Sequence, residues 1–361
     1  MNMKKLLATS LAALLSASIN AHQSMKIEFI GEATFATGYH YNGVQVGGLS
    51  GIDFDQANQS FIAISDDRGQ LGPVRYYDLT IDLSDGYLNE GDIAFTGMTE
   101  ILDKDGSSFA PASVDPESIR LLPFPGLLYW TSEGDAHQGV APFVRIMTRS
   151  GQPVNEFELP EKFVPTGENG IRNNLAFESL TFSYSQKYLY TATENALVQD
   201  GAMATTERGS PVRVLQLDVA KGKAEKEFIY QTDPVAAPSV PADAFNTNGL
   251  VELLAVSPFQ FIAVERSFSV GVGNSIKLYL TSTLGASNVS RLNSVEERRH
   301  VRHMKKRLLL DLADLGLTLD NIEGITFGPT LATGEKTLIL VSDNNFNVNG
   351  QFTQFLAFKL N

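Results

Sequence analysis

A repeated hairpin pattern is the feature that most constrains the fold of this chain. In the copy at Leu175 to Leu197, a run of alternating apolar residues leads through a polar turn into a second strand-like run. Alternation of this kind predicts an antiparallel β-hairpin. The same template fits four further segments, which begin at Gly48, Asp115, Asn248 and Asn321. Repetition on this scale predicts a repeat architecture rather than one irregular core.

Each copy of the pattern carries two polar positions. In chain order the first position holds Ser50, Glu117, Glu178, Asn248 and Glu323, and the second holds Asp66, Glu133, Glu194, Glu265 and Asp343. The two positions lie 16, 16, 16, 17 and 20 residues apart. Because eight of these ten side chains are carboxylic acids, the two positions are the first candidates for a functional site.

The segments between the hairpins supply the remaining strands. Two strand-like runs follow each of the first four hairpins, whereas only Thr353 to Leu360 follows the fifth. The missing strand is available at Met25 to Phe35, and pairing it with the last copy closes a ring without an exposed edge. The sequence therefore predicts an all-β fold, a β-propeller of five visible four-stranded repeats closed by the N-terminal strand. A degenerate sixth blade is the alternative count, and a two-sheet sandwich is the rival fold.

The N-terminal residues predict an export signal. The basic residues Lys4 and Lys5 precede an apolar run from Leu6 to Ala17, which is too short to span a bilayer comfortably. We therefore expect residues 1–21 to be a signal peptide and residues 22–361 to form a single propeller domain. No later stretch is long enough to cross a membrane, and the chain has no cysteine. Both features fit a protein of the Gram-negative periplasm or one secreted to the medium.

The charge of the chain restricts its partners. The formal net charge is −13, which argues against nucleic acid, since affinity for phosphate backbones depends on basic surface. An acidic chain with carboxylates at repeated positions suits a cation better. A small anionic or phosphorylated substrate would then bind through that cation and nearby arginines. The oligomeric state is left open by the sequence.

The carboxylates are expected to meet at one end of the central channel. Each innermost strand lines the channel, and the start of one strand lies at the same rim as the end of its antiparallel neighbour. Oxygen-only ligands favour Ca²⁺, with Mg²⁺ or Mn²⁺ behind it. The predicted metal ligands are Asp66, Glu117, Glu178, Glu265, Glu323 and Asp343. The competing interpretation is structural, because a repeated carboxylate can accept backbone N–H bonds in turns and join blade to blade.

Several short motifs carry a resemblance to one family. They are SDDRG at Ser65 to Gly69, DPES at Asp115 to Ser118, WTSEG at Trp130 to Gly134, FES at Phe177 to Ser179, TENAL at Thr193 to Leu197, ER at Glu265 to Arg266, IEG at Ile322 to Gly324, and SDNNF at Ser342 to Phe346. From about Gly48 to the C-terminus the chain resembles the phytase-like family, also called "esterase-like activity of phytase". The resemblance implies an exported bacterial propeller that hydrolyses phosphate esters with a divalent cation.

The residues themselves allow three classes of function. For a metal-dependent phosphoric ester hydrolase, Arg68 and Arg266 would clamp phosphate oxygens, and Glu133 or Glu194 would take a proton from water. A non-catalytic propeller that binds a ligand and uses Ca²⁺ structurally is the first alternative. A serine-type carboxylesterase is the second, although Gly47 to Gly51 lacks the G-x-S-x-G spacing of the nucleophile turn.

Overall fold

A computed structural model describes residues 25–361, and in these residues four-stranded antiparallel sheets follow one another along the chain. The predicted signal peptide, residues 1–21, lies outside the described range. Within that range, no helix has the length and apolar character needed to cross a membrane. The regular structure is almost entirely β-strand, as the alternating pattern of the repeats predicts.

Twenty-two strands account for the fold of the described residues. The first seven are β1 (Ile27–Ala36), β2 (His40–Tyr41), β3 (Val44–Gln45), β4 (Leu49–Asp55), β5 (Ser60–Ser65), β6 (Arg75–Ile81) and β7 (Ile93–Glu100). The next eight are β8 (Pro116–Leu122), β9 (Leu127–Ser132), β10 (Phe143–Met147), β11 (Pro153–Glu156), β12 (Thr181–Phe182), β13 (Tyr188–Ala192), β14 (Pro211–Asp218) and β15 (Lys223–Gln231). The last seven are β16 (Asn246–Ala255), β17 (Gln260–Ser269), β18 (Gly273–Ser282), β19 (Lys305–Asp311), β20 (Asn321–Thr330), β21 (Lys336–Asp343) and β22 (Phe352–Leu360). Short 3₁₀ turns lie at Glu161–Phe163, Val198–Asp200, Val295–Glu297 and Leu312–Leu315.

The strands form five blades, numbered here in chain order. Blades 1 to 4 are β4–β7, β8–β11, β12–β15 and β16–β19, each hydrogen-bonded between consecutive strands. Blade 5 combines β20, β21 and β22 with the N-terminal β1, which pairs antiparallel with β22 from Ile27 opposite Leu360 to Ala36 opposite Phe352. The predicted five-bladed propeller and its closure by the first strand are therefore confirmed. The short β2–β3 hairpin is a separate addition.

The core lies between neighbouring blades. One apolar cluster joins blade 1 to blade 5 through residues such as Ile52, Ala63, Val341 and Phe355. Because both faces of a blade pack against neighbours, the middle strands are buried on both sides, and in β21 every residue from Thr337 to Asp343 is buried. The stacked blades thereby hold the ends of the five innermost strands in a fixed ring.

An ion pair closes the channel in its interior. Arg120, on the innermost strand of blade 2, lies 2.9 Å from the carboxylate of Glu252 on the innermost strand of blade 4. The guanidinium also donates to the carbonyl oxygens of Ile52 in blade 1 and Ile325 in blade 5. Glu252 completes the set by accepting the backbone N–H of Leu180, just ahead of β12 in blade 3. This pair, which we call the axial pair, thus connects all five blades.

Candidate functional site

β-Bulges direct the first polar position of several repeats. The register between the innermost strand and its neighbour shifts between Leu49 and Gly51 in blade 1, and the same happens at equivalent places in blades 2 and 5. The extra residue of a bulge re-aims its side chain. At these bulges Glu117 and Glu323 line the central cavity, whereas the shorter Ser50 donates a 2.7 Å hydrogen bond to the backbone carbonyl of Glu117.

Blade 4 departs from the predicted alignment. The bulge of this blade falls at Val251, and the residue before it, Leu250, pairs with Glu265. The residue after Glu265, which is Arg266, therefore occupies the second position of the ring. In blades 1, 2 and 5 that position holds an acid: Asp66, Glu133 and Asp343. Blade 4 therefore contributes a cation to the ring of second positions. Its bulged residue is the apolar Val251, which packs in the core cluster between blades 4 and 5 and not in the cavity lining.

Glu265 is not brought to the funnel, although the sequence predicts it as a metal ligand. It is turned into the contact between blades 3 and 4, where it accepts hydrogen bonds from the Tyr230 hydroxyl at 2.5 Å and the Asp233 backbone N–H at 2.8 Å. Lys306 also donates to it, and so does Asn248, the predicted first-position residue of this blade. A one-residue shift in strand register reverses the face to which a side chain points, and this accounts for the difference.

The remaining predicted acids surround one cavity of about 800 Å³. Its acidic lining consists of Asp66, Asp115, Glu117, Glu178, Glu194, Asp320, Glu323 and Asp343. Two glycines make room for these acids: a Cβ on Gly48 would lie 1.8 Å from Asp66 Oδ1, and one on Gly249 would lie 2.1 Å from Glu194 Oε1. Glu133 is buried beside the lining, and its carboxylate accepts the backbone N–H of Ala176.

Two overlapping groups of carboxylates are close enough to hold a metal ion. In the first group, ligand oxygens of Asp115, Glu117 and Glu133 all lie within 4.8 Å of one another. The second group is Glu117, Glu178 and Glu323, whose ligand oxygens also lie within 4.8 Å of one another. All five residues are at least nine-tenths buried. Glu117 is common to both groups and lies at the centre of the cluster.

Orphaned oxygen atoms provide a second observation at the same place. Glu133 Oε2 and Glu194 Oε1 are shielded from solvent and have no hydrogen-bond partner, although the two residues are 1% and 2% exposed. Asp66 Oδ1 is likewise buried without a hydrogen-bond partner. A buried carboxylate oxygen without a partner is costly. The donor set, which is entirely oxygen, fits a hard divalent cation such as Ca²⁺.

Burial and mutual repulsion raise the pKa of nearly every acid in the funnel. Burial raises the pKa of Asp115 and Glu323 to about 7, with the Arg68 and Arg266 guanidiniums respectively opposing the rise. Burial and the nearby Glu323 carboxylate raise the pKa of Asp343 to about 8. The pKa values of the central acids are raised well above their ordinary values by burial and by neighbouring carboxylates; these are Asp66, Glu117, Glu133 and Glu178. Without a cation, the cluster therefore retains protons near neutral pH.

Arg266 is the basic side chain within the funnel. Its Nη2 lies 3.1 Å from Glu323 Oε1 and 3.6 Å from Glu194 Oε1. Burial opposes ionisation of Arg266, but the carboxylates of Glu194, Glu323 and Glu178 outweigh it and raise the pKa of the guanidinium. Arg68, the other predicted clamp, stands at the edge and is paired with Asp115 at 3.6 Å and Asp135 at 3.2 Å.

Some funnel residues were not singled out from the sequence. Asp115 and Asn321 each precede a first-position acid by two residues, and Asn321 Nδ2 donates to both Glu323 at 2.9 Å and Asp343 at 3.2 Å. The parallel spacing of the D-P-E and N-I-E segments is a signal that could have identified both. Among residues 25–361, no histidine lines the cavity, so Ser50 has no imidazole base there.

The chain was compared with curated proteins and with solved structures. No curated protein matches the chain. One similar solved structure is KlHsv2 with loop 6CD replaced by a Gly-Ser linker, at 9% sequence identity and a TM-score of 0.30, over 71% of this chain and 57% of that chain. Another is the Dos1 propeller, at 9% identity and a TM-score of 0.32, over 85% of this chain and 67% of that chain. A third is a GH43_12 protein retrieved from capybara gut metagenome, at 8% identity and a TM-score of 0.48, over 94% of this chain and 54% of that chain. The chain thus spans between about half and two thirds of the length of these proteins.

The sequence model of one family matches residues 44–346. That segment contains all five innermost strands and every acid of the funnel. It also contains each motif on which the resemblance was based. Since the match covers most of the 361 residues, this propeller belongs to the Phytase-like family, described as "esterase-like activity of phytase".

Proposed function

We propose that this propeller hydrolyses phosphoric esters at the acidic funnel with a bound divalent cation, Ca²⁺ by preference. The observation that carries the proposal is the pair of buried carboxylate groups that share Glu117, with orphaned oxygens beside them. Glu117, Glu178, Glu323 and Asp343 would hold the cation. When bound, it would polarise the phosphoryl group and lower the pKa of a water molecule.

The protein's own residues would do the remaining work. Arg266 would orient phosphate oxygens, because its guanidinium is a planar fork that faces the cavity beside Glu323. Arg68 forms ion pairs with Asp115 and Asp135, so it would contribute at the rim by positioning these two aspartates. Glu194 is the better candidate for the base, because it lines the cavity with an oxygen that lacks a hydrogen bond. Glu133 lies behind the lining, so it is the second candidate.

The location of the protein is part of the proposal. A signal peptide at residues 1–21 would deliver the propeller, residues 22–361, to the periplasm or the medium. The support is the basic start followed by the apolar run at Leu6 to Ala17. Millimolar calcium, sufficient for a weak site, is ordinary outside the cytosol.

Replacement of Glu117 by glutamine tests the proposed chemistry. We expect hydrolysis of p-nitrophenyl phosphate by the wild-type chain to stop with EDTA and return with Ca²⁺. Glu117→Gln should lower kcat by about 100-fold, because it removes the ligand common to both carboxylate groups and so weakens the hold on the cation that would stabilise the transition state. The matched control is Glu207→Gln, which changes an exposed acid outside the funnel and should leave the rate unchanged.

Two other results are informative. Undiminished hydrolysis after chelation would contradict the metal-dependent reaction. A rise in melting temperature with Ca²⁺ but no phosphate release from any ester would favour a binding propeller with a structural cation.

A further inference from the structure

We propose that the funnel takes a singly phosphorylated ring alcohol, such as a sugar monophosphate, and rejects ligands that carry many phosphates. This inference rests on the proposed function, since it names the substrate class of the same site. It is drawn from the walls of the cavity rather than from the acidic cluster. Three observations carry it: the charge of the lining, an exposed aromatic wall from blade 4 and a wall of amides from the neighbouring blade 5.

The charge of the lining limits the ligand to few negative groups. Eight carboxyl side chains line the cavity, and among the described residues Arg266 is the single basic side chain in that lining. Recognition of each additional phosphate needs its own arginine or lysine donors. A bound divalent cation offsets two negative charges, so one phosphoryl group can be accommodated beside Arg266. Further phosphates would face carboxylates, and like-charge contacts in a partly buried site oppose binding.

The aromatic wall stands at one side of the cavity. Phe245 and Phe268 both line it, with ring centroids 6.3 Å apart and planes inclined by 36°. Phe245 is 64% exposed, so its ring is accessible to a ligand in the cavity. Its backbone is nevertheless fixed, because the carbonyl of Phe245 accepts the N–H of Val270 at 3.0 Å. The structure therefore presents a preorganised apolar surface to a ligand in the funnel.

A second part of the lining, contributed by the neighbouring blade 5, is rich in amide side chains. The segment between β21 and β22 contributes Asn345, Asn347, Asn349 and Gln351 to the cavity lining. Asn347 Nδ2 donates to Gln351 Oε1 at 3.2 Å, which links these two side chains. Beside Phe268, Asn274 Oδ1 is shielded from solvent and has no hydrogen-bond partner. Amides offer donors and acceptors together, which suits hydroxyl groups.

These walls together match a ring with one apolar face and a hydroxylated edge. The apolar face would stack on Phe245, the hydroxyl edge would meet the amides, and the single phosphoryl group would reach Arg266 at the acidic floor. A ring with a phosphate on every carbon offers neither a bare face nor free hydroxyls. Apolar lining with a few placed polar groups is the usual composition of a small-molecule site.

Substitution of Phe245 separates this inference from its alternatives. With Ca²⁺ present, Phe245→Ala should raise KM for glucose 1-phosphate and for phenyl phosphate by about 10-fold, with kcat changed by less than about twofold, because stacking contributes mainly uniform binding. The matched control is Phe259→Ala, which removes another exposed phenylalanine (54% exposed) that does not line the cavity. Asn347→Ala should raise KM for glucose 1-phosphate alone, since phenyl phosphate has no hydroxyls.

Direct calorimetry with glucose 1-phosphate and with inositol hexakisphosphate gives a readout that does not depend on turnover. If the wild-type protein binds glucose 1-phosphate, Phe245→Ala weakens that binding, and no phosphate is released, the inference is supported and hydrolysis is refuted. Phosphate release with inositol hexakisphosphate as the better substrate, and Phe245→Ala indistinguishable from Phe259→Ala, would support hydrolysis and overturn the inference. Absence of binding of glucose 1-phosphate would overturn the inference as well.

Discussion

Replacement of Glu252 by leucine is expected to lower the free energy of unfolding by about 3–5 kcal/mol, the usual result of leaving a buried charge without its partner. Arg120 would keep its carbonyl contacts but lose the carboxylate 2.9 Å away, at a site where both side chains are at most 3% exposed. The measurement is urea unfolding near pH 8, above the pKa of about 7 that burial gives Glu252 despite the opposing Arg120 charge.

A matched control and a double variant make this test specific. Glu28→Leu breaks the exposed pair with Lys359, in which the Glu28 side chain is 59% exposed, and should cost less than about 1 kcal/mol. The double variant Arg120→Met, Glu252→Leu should recover much of the lost stability, because it removes both buried charges. Equal losses for Glu252→Leu and Glu28→Leu would show that the axial pair does not hold the blades together.

The metal-free protein should lose stability as the pH rises from about 5 to 8.5. The funnel acids have folded-state pKa values above their ordinary ones, including about 7 for Glu323, where burial outweighs Arg266, and about 8 for Asp343, through burial and Glu323. The folded state therefore binds protons more tightly than the unfolded state. The stability that these protons confer is complete below the unfolded pKa of about 4 and is lost as the pH passes through the folded values. The summed effect should be on the order of several kcal/mol.

Melting temperatures across this pH range, with EDTA or with Ca²⁺, would measure the effect. We expect a falling curve in EDTA and a nearly flat one in Ca²⁺, because the cation replaces the protons as counter-charge. Glu117→Gln with Glu178→Gln should flatten the EDTA curve, since neither amide titrates. A double variant with the wild-type slope would assign the pH dependence to the general negative charge of the chain instead.

The architecture could be predicted from the sequence because it rests on local pattern. Alternating apolar residues identified the hairpins, and the count of strands after Asp343 showed that the N-terminal strand must close the ring. Stacked blades tolerate loops of different length, so the long connections did not disturb this prediction.

The sequence could predict that acids of several blades gather around one cavity, but it could not predict the register of blade 4. In blades 1, 2 and 5 the bulge falls at the predicted first position, whereas in blade 4 it falls at Val251, which brings Arg266 into the ring and turns Glu265 away. Sequence spacing alone does not locate a bulge, and a shift of one residue changes the face. Both members of the axial pair are recognisable in the sequence as unusual positions, because Arg120 and Glu252 are charged residues within apolar strand segments. Which partner each would meet depended on the ring geometry.

Calorimetric titration of Ca²⁺ into the EDTA-treated chain tests the central claim most directly. Titration near pH 7 in two buffers of different ionisation enthalpy reports both the binding and the protons released. We predict saturable binding with release of about one proton or more, because the cation must displace protons from carboxyls with raised pKa values, and loss of both signals in Glu117→Gln. An absence of binding by wild-type protein, or equal binding by Glu117→Gln, would contradict the account and leave the carboxylates as contacts between blades.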